Sequence, residues 1–395
     1  MDLPSLLAAI ERGDDTTVFE FLEGVFLDDV AYDGLIGDDG VTLLAAAAYA
    51  GRHEVVDRLV GRGVDPARPW ADGVDPVTWA AENGAYWVLK ALLSPDRDPL
   101  RVDSPHRRAL WGARAALEAG AGAGSVPPPA HRAVITGLEA RLGVHRTPDE
   151  LMARALVHAD PEHDDWFASL FRIAEPESQE RFDWARKVAE GVGEAGSLDR
   201  RRFALDAINF LGFGLNPDNG NDEPPFTREA AAFLRPQLDT EQDPYALRTV
   251  IAAFTGYCSR EELPAVLAYA DHLDPGVRHC VALAFPGLLT DRPDALAALL
   301  RLADDPAPAT RTSALHALTC SAVDNPAIRG VLAAHLTDPH FDARLEAAAA
   351  LALRGDERGT PVLDEIRRGI KNRSSRGAGR LEDLQHQLRA AFPGM

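Results

Sequence analysis

Residues 39–66 read DGVTLLAAAAYAGRHEVVDRLVGRGVDP, and residues 72–93 read DGVDPVTWAAENGAYWVLKALL. Gly51 and Gly84 lie 33 residues apart, and so do the Asp-Gly dipeptides that open the two segments. In each segment an alanine-rich helix ends at a glycine, the residue that most readily adopts the left-handed conformation of a helix C-terminus, and a second helix follows. Because one such helix pair cannot bury its apolar face alone, neighbouring pairs must stack. The spacing therefore predicts an array of helical repeats.

These segments resemble the ankyrin repeat. The first carries the pattern AA-x-x-G-x-x-x-V-V, and residues 6–24 fit the two helices of an earlier unit. Residues 106–120 are expected to form a degenerate later unit. The sequence departs from the family at Leu43, where the family has proline, and at Ala45, where it has histidine. Asp75 of the second segment stands in place of threonine.

The ankyrin resemblance implies where a partner binds, because partners of such repeats usually meet the turn tips and the groove-facing side of the first helices. Carried onto this sequence, those positions are Asp38, Asp39, Val41, Tyr49, Ala50, Trp70, Ala71, Asp72, Val74, Glu82 and Asn83. Trp70 is the expected anchor, since it precedes the turn and aromatic anchors dominate binding energies. Its alternative is packing on Pro69 or the adjoining loop. The remaining tryptophans are expected to pack between helices: Trp79, Trp87, Trp111, Trp166 and Trp184.

The second half of the chain has a different period. Asp-Pro dipeptides open alanine- and leucine-rich stretches, and the arginines that follow them are spaced by 30, 33 and 33 residues, at Arg248, Arg278, Arg311 and Arg344. This pattern resembles the HEAT repeat in its short bacterial form. The aspartate suits a helix N-cap, and we expect each arginine to pair with an aspartate of its own or a neighbouring repeat, forming a ladder. The resemblance also implies a concave binding face on the second helices, with Tyr269, His272, Arg301 and His335.

No segment shows the alternation typical of strands, so the predicted fold is all-α, a double α-solenoid. Ankyrin repeats are expected over residues 1–120 and HEAT-like repeats over 148–395, and residues 121–147 are expected to be a linker, because AGAGSVPPP lies there.

Composition narrows the class of protein. The net charge of −20 argues against a general nucleic-acid binder; the basic stretch 367–380 is the one hint of an RNA or other anionic partner. No apolar run is long enough for a membrane span, the N-terminus lacks the basic leader of a secretory signal, and three cysteines fit a reducing compartment. We therefore expect a soluble cytoplasmic protein, and the 3 lysines among 41 basic residues suggest a bacterial source.

The chain lacks the common catalytic motifs, including the phosphate-binding, dinucleotide-binding and zinc-protease signatures. The three cysteines are expected to be small buried hydrophobic residues. Residues 158–165 hold the densest set of metal-ligand types, but two histidines five residues apart do not share a helix face well, and Pro161 interrupts the segment. An exposed loop is the expectation there and a metal site the alternative. Residues 216–225 similarly suit a loop better than a calcium site. We expect no catalytic residue, metal or cofactor.

Charge distribution completes the functional prediction. Residues 1–100 contain 19 acidic and 7 basic residues, including Asp28, Asp29, Asp38 and Asp39. Such a block serves either as the polar cap of a solenoid or as an attractive surface for a basic partner. The predicted function is non-catalytic protein–protein interaction, as a scaffold. One alternative is an immunity or antitoxin-type protein that neutralises a basic toxin; the other is an enzyme or small-ligand-binding protein with its site at the ankyrin–HEAT junction.

Overall fold

The computed structural model describes residues 3–24, 40–93, 105–122, 129–175, 178–191, 197–212, 226–289, 292–369 and 380. These residues are helices and their connections, without a strand, as the sequence predicts. The chain divides into two compact units, Met1–Pro176 and Glu177–Met395. Among the described helices, none is both long and apolar enough to cross a membrane.

The described part of the first unit contains ten short helices. They are α1 Leu3–Arg12, α2 Asp15–Gly24, α3 Leu43–Tyr49, α4 His53–Gly61, α5 Pro76–Glu82, α6 Tyr86–Leu92, α7 Pro105–Glu118, α8 His131–Arg141, α9 Pro148–Ala155 and α10 Asp164–Ala174. Helices α2, α4, α6 and α8 pack successively on one another, and α1 packs on α3 as α5 packs on α7. This is the arrangement of stacked helix pairs.

Residues 106–120, which the sequence predicts to form a degenerate later unit, lie largely in α7, which packs on α5, and α8 packs on α6. Beyond α7 the structure differs from the predicted boundaries. Residues 131–141, placed in a linker by the sequence prediction, form the buried second helix of this pair. The sequence prediction begins the HEAT-like repeats at residue 148. In the structure, α9 and α10 belong to the first compact unit, which ends at Pro176.

Local capping explains why the helices of the repeats begin and end where they do. Asp75, the departure from the family pattern, caps α5 by accepting a hydrogen bond from the Thr78 N–H at 2.7 Å. Gly84 follows α5 with a φ of +63°, in the left-handed region. A Cβ at Gly84 would lie 2.8 Å from the backbone nitrogen of Ala130, so this position requires glycine for space as well as for conformation.

A buried carboxylate joins the later helices of the first unit. Glu139 on α8 is 1% exposed and accepts hydrogen bonds from three arginines, Arg114 of α7 at 2.7 Å, Arg146 at 2.7 and 2.9 Å, and Arg154 of α9 at 2.8 Å. Burial raises the pKa of Glu139, but the hydrogen bonds from the three guanidinium groups outweigh it and lower the pKa to about 2. Glu139 is therefore an ionised hub within the unit.

The described part of the second unit contains another ten helices and two short 3₁₀ segments. The helices are α11 Gln179–Glu190, α12 Ser197–Leu211, α13 Thr227–Thr240, α14 Pro244–Tyr257, α15 Pro275–Leu283, α16 Pro293–Leu302, α17 Pro308–Thr319, α18 Pro326–Ala334, α19 Phe341–Leu353 and α20 Gly359–Gly369. The 3₁₀ segments are Leu263–Tyr269 and His335–Thr337. Helices α12, α14, α15, α17 and α19 pack successively on one another, and α13, α16 and α18 pack against members of that row.

Two of the four spaced arginines form the expected ladder in the second unit. Arg248 instead lies over the Tyr245 ring, and Arg344 donates to the Asp338 carbonyl oxygen. Arg278 forms a bidentate pair with Asp305 of the next repeat at 2.6 and 2.9 Å, and Arg311 forms one with Asp338 at 3.0 Å for both bonds. Both aspartates are buried, and the arginine hydrogen bonds hold their pKa below the ordinary value although burial acts in the opposite direction. Each rung joins consecutive repeats.

The Asp-Pro dipeptides do not all cap helices as expected. Asp243 and Asp274 do so, accepting from the N–H groups of Ala246 and Val277. Asp305 instead precedes its helix by three residues and accepts from the Ala307 N–H, which leaves its carboxylate directed at Arg278.

Candidate functional site

The partner-binding surface implied by the ankyrin resemblance lies at the ends of α3 and α5. Tyr49 at the end of α3 is 47% exposed, and its ring contacts Trp70 and Trp79 with centroid distances of 5.1 and 4.9 Å. Trp70 and Trp79 also contact each other at 5.5 Å. These three rings form one aromatic cluster, of which Tyr49 is the exposed member.

The expectation that Trp70 is an exposed anchor is wrong. Its side chain is only 4% exposed, because the turn at Ala71–Gly73 folds it under Tyr49 and against Trp79. The expectation for Trp111 is wrong in the opposite sense. Trp111 lies on α7 and is 77% exposed instead of packing between helices. The exposed large aromatics of this unit are therefore Tyr49 and Trp111, as far as its described residues show.

The other ankyrin positions fall into three groups. Glu82 and Asn83, at the end of α5, are exposed, as is Ala50 after α3. Val41, Ala71 and Val74 are half-buried in the turns. Asp38 and Asp39 lie outside the described residues, and so does the side chain of Asp72. Gly112 of α7 lies against the Glu82 side chain, and the exposed Trp111 is the residue before it in the same helix.

The predicted HEAT positions are mostly engaged within the second unit. The Tyr269 hydroxyl donates to the Leu238 carbonyl at 2.6 Å, and His272 accepts from the Asp274 N–H at 3.0 Å. Arg301 remains exposed, 3.4 Å from Asp271. The prediction that His335 lies on a binding face is wrong. His335 is 9% exposed, and its two ring nitrogens contact Asp304 and Asp338 at 3.0 Å each. His335 is part of the packing between repeats.

The basic stretch 367–380 is partly engaged as well. Arg367 pairs with Asp364 at 2.7 Å, and Arg380 pairs with the buried Glu346 at 2.6 and 2.9 Å. Residues 370–379 lie outside the described residues. The described ends of the stretch thus contact acidic side chains of the same unit.

The cysteine expectation is met in part. Cys258 and Cys280 are half-buried, and burial raises the pKa of each thiol to about 11. Cys320 differs, because it is exposed at the end of α17, with its sulfur 3.6 Å from the Nε2 atom of His316.

Residues 158–165 are not the exposed loop that was expected. His163 is 8% exposed and Asp165 only 1% exposed, and the two are brought together with His158 at the start of α10. The ring centroids of His158 and His163 are 4.1 Å apart. Burial raises the pKa of Asp165, and burial together with the neighbouring His163 lowers that of His158.

A cleft of about 710 Å³ adjoins this cluster in the first unit. Its walls include residues 82–84 at the end of α5 and residues 160 and 162–164 before and at the start of α10. His131 also lines the cleft, with its Nε2 atom 2.9 Å from the Glu82 carbonyl oxygen. Sequence reasoning missed this juxtaposition, for which the only signal was the density of ligand-type residues in 158–165.

Comparison with known families agrees with the repeats seen in the structure. A family model of ankyrin repeats, in three copies, matches residues 6–103, and a family model of HEAT repeats matches residues 231–319. The chain carries ankyrin repeats followed by HEAT repeats. Among solved structures, the X-ray structure of Escherichia coli YibA is similar at 18% identity, covering 65% of this chain and 87% of that one with a TM-score of 0.46. No curated protein matches.

Proposed function

We propose that this ankyrin–HEAT protein binds a macromolecular partner through its ankyrin surface and performs no catalysis of its own. Ankyrin and HEAT repeats are typical protein-interaction scaffolds. The observation that carries the proposal is the 77% exposure of Trp111 on α7. Tryptophan is among the residues most enriched in binding hot spots, so an exposed tryptophan on a repeat surface is the candidate anchor of an interface.

Tyr49, Glu82 and Asn83 extend the proposed surface from α7 towards α3. Together they offer two aromatic side chains with polar and acidic neighbours, which is the composition of an interface centre with its rim. The acidic residues of the first hundred add a negative field, since 19 acidic residues oppose 7 basic ones. A basic protein is therefore the partner that this surface suits.

The HEAT surface is a weaker candidate for the same function. Three of its predicted residues form hydrogen bonds within the second unit, namely Tyr269, His272 and His335. Among the four predicted HEAT positions, only Arg301 is exposed. Partner contacts are accordingly assigned first to the ankyrin repeats.

The proposal is tested by affinity capture at ~50 mM and ~300 mM salt, followed by mass spectrometry. The wild-type chain is compared with a variant in which Asp28, Asp29, Asp38 and Asp39 become Asn. A matched control carries the same charge change at exposed positions of the second unit, with Glu261, Asp294, Glu357 and Glu365 made neutral.

A basic protein retained at low salt by the wild type and the control, but not by the four-Asp variant, supports the proposal. Equal retention by all three contradicts a role for these four aspartates, which we call the acidic arm. A toxin neutralised by this chain is the narrower alternative, and it predicts that the captured protein is toxic when expressed alone and harmless when co-expressed with the chain.

A small-ligand function is favoured by a separate observation, the cleft beside His163 and Asp164. Native mass spectrometry of the purified chain tests it. A bound small molecule that is lost on filling the cleft, for example by replacing an exposed wall residue in Glu162→Trp, supports it, and the mass of the bare polypeptide contradicts it.

A further inference from the structure

The three side chains of His158, His163 and Asp165 are arranged like the ligands of one metal ion. One nitrogen from each imidazole and one carboxylate oxygen lie within 4.8 Å of one another. The Asp165 Oδ2 atom is 3.5 Å from the His158 Nε2 atom and 3.7 Å from the His163 Nδ1 atom. Both separations exceed an ordinary hydrogen bond, which spans about 2.7–3.2 Å.

These separations suit neighbouring ligands of a tetrahedral ion. With metal–ligand bonds of about 2.0–2.1 Å, two ligands of a tetrahedral zinc ion lie about 3.4 Å apart. The two aspartate–histidine separations need a contraction of a few tenths of an ångström to match this geometry. The ligand nitrogens of the two imidazoles lie within 4.8 Å of each other and need a contraction of at most about 1.4 Å, which rotation of the partly exposed His158 side chain can supply. Imidazole and carboxylate are also the donors that Zn²⁺ accepts in sites with a position left for water.

The state of Asp165 is a second and independent observation. Its Oδ1 atom accepts a hydrogen bond from the Ala133 N–H at 2.6 Å, whereas its Oδ2 atom is buried and accepts none from any described residue. A carboxylate oxygen removed from water without a partner is costly, and structures rarely keep one without a compensating group. The unpartnered atom is the one that faces both histidines.

The backbone between the histidines favours their approach. Ala159 has a φ of +49°, which is in the left-handed region that alanine rarely adopts. This reversal directly after His158 allows a segment with Pro161 to bring the two imidazoles together. Because the chain leaves helical geometry at Ala159, His158 and His163 come together although residues five apart do not share a helix face.

We propose that His158, His163 and Asp165 bind one divalent transition-metal ion of the Zn²⁺ type, with the fourth position left for water. The positive charge of the ion compensates the negative charge of the buried Asp165 carboxylate. His158, whose side chain is 24% exposed, provides the route of entry. The His163 Nδ1 atom now accepts the Asp165 N–H at 3.1 Å, so coordination through this nitrogen replaces that hydrogen bond.

The test is cobalt spectroscopy of the full-length chain after treatment with a chelator. Co²⁺ is titrated into the wild type and into His158→Ala, Asp165→Asn and the control His145→Ala, which removes an exposed histidine outside the cluster. We expect the intense visible d–d bands of tetrahedral cobalt to saturate at one equivalent in the wild type and the control, and Zn²⁺ to abolish them. Removing a direct ligand should weaken binding by about 100-fold or more.

Thermal unfolding with and without Zn²⁺ gives a second readout. Zn²⁺ should raise the unfolding temperature of the wild type and of His145→Ala but not of His158→Ala, because a ligand stabilises only the state that binds it. His158 is partly exposed, so this variant remains informative even if Asp165→Asn does not fold. Absence of one-equivalent binding in the wild type, or wild-type affinity in His158→Ala, would overturn the proposal.

Discussion

The buried hub at Glu139 gives a prediction whose size can be worked from the structure. The substitution Glu139→Gln keeps the shape of the side chain and removes its charge, leaving three guanidinium groups around a neutral amide. The three arginines lower the pKa of Glu139 from its ordinary value of 4.5 to about 2. At about 1.36 kcal/mol per pH unit this corresponds to about 3 kcal/mol of stability at neutral pH.

The sign of the pH dependence follows from the direction of that pKa change. Because the folded-state pKa lies below the unfolded-state value, the contribution of Glu139 is fully present above about pH 4.5 and is lost as pH falls towards 2. The wild type should lose about 3 kcal/mol relative to the variant over this window, and the two free energies of unfolding should converge near pH 2.

Urea unfolding followed by tryptophan fluorescence is the assay, since five of the six tryptophans lie in the first unit. Glu175→Gln is the control, because Glu175 forms an exposed ion pair with Arg172 and exposed pairs contribute about 0–1 kcal/mol. A loss below about 1 kcal/mol in Glu139→Gln at pH 7, or an unchanged difference between pH 5 and pH 2, would refute the reasoning.

Two further predictions concern the second unit. Asp338→Asn removes the charge paired with Arg311 and should lower the free energy of unfolding by about 3–5 kcal/mol. The control Asp364→Asn, in an exposed pair with Arg367, should lower it by less than about 1 kcal/mol. Circular dichroism during urea unfolding measures both losses, and similar values would mean that the ladder does not hold the repeats together. A maleimide at pH 7 should label Cys320 first, since it is exposed, while burial raises the pKa of Cys258 and Cys280 to about 11. Peptide mapping that finds Cys258 or Cys280 labelled as fast as Cys320 would contradict that assignment.

Features with a fixed local pattern could be predicted from the sequence. The 33-residue spacing of Gly51 and Gly84 locates the ends of two first helices, because glycine at that point takes a left-handed conformation in both repeats. Two of the regular arginines of the second half, Arg278 and Arg311, likewise form the predicted rungs, to Asp305 and Asp338. Both patterns depend on positions that recur from one repeat to the next.

Features that depend on packing between repeats could not be predicted in the same way. Trp70 precedes a turn, a position typical of exposure, yet two neighbouring rings cover it. Trp111 lies in a helix, a position typical of burial, and nothing described covers most of its surface. The metal-ligand cluster requires a left-handed alanine at position 159, which no residue type there signals.

Association and dissociation kinetics with the captured partner test the central claim most directly, because the acidic arm and Trp111 are expected to act on different rate constants. At ~50 mM salt, neutralising the four arm aspartates should slow association by about tenfold or more. Trp111→Ala should leave association within about threefold and speed dissociation by at least about fivefold. Unchanged association in the arm variant together with unchanged dissociation in Trp111→Ala would contradict binding through the ankyrin surface.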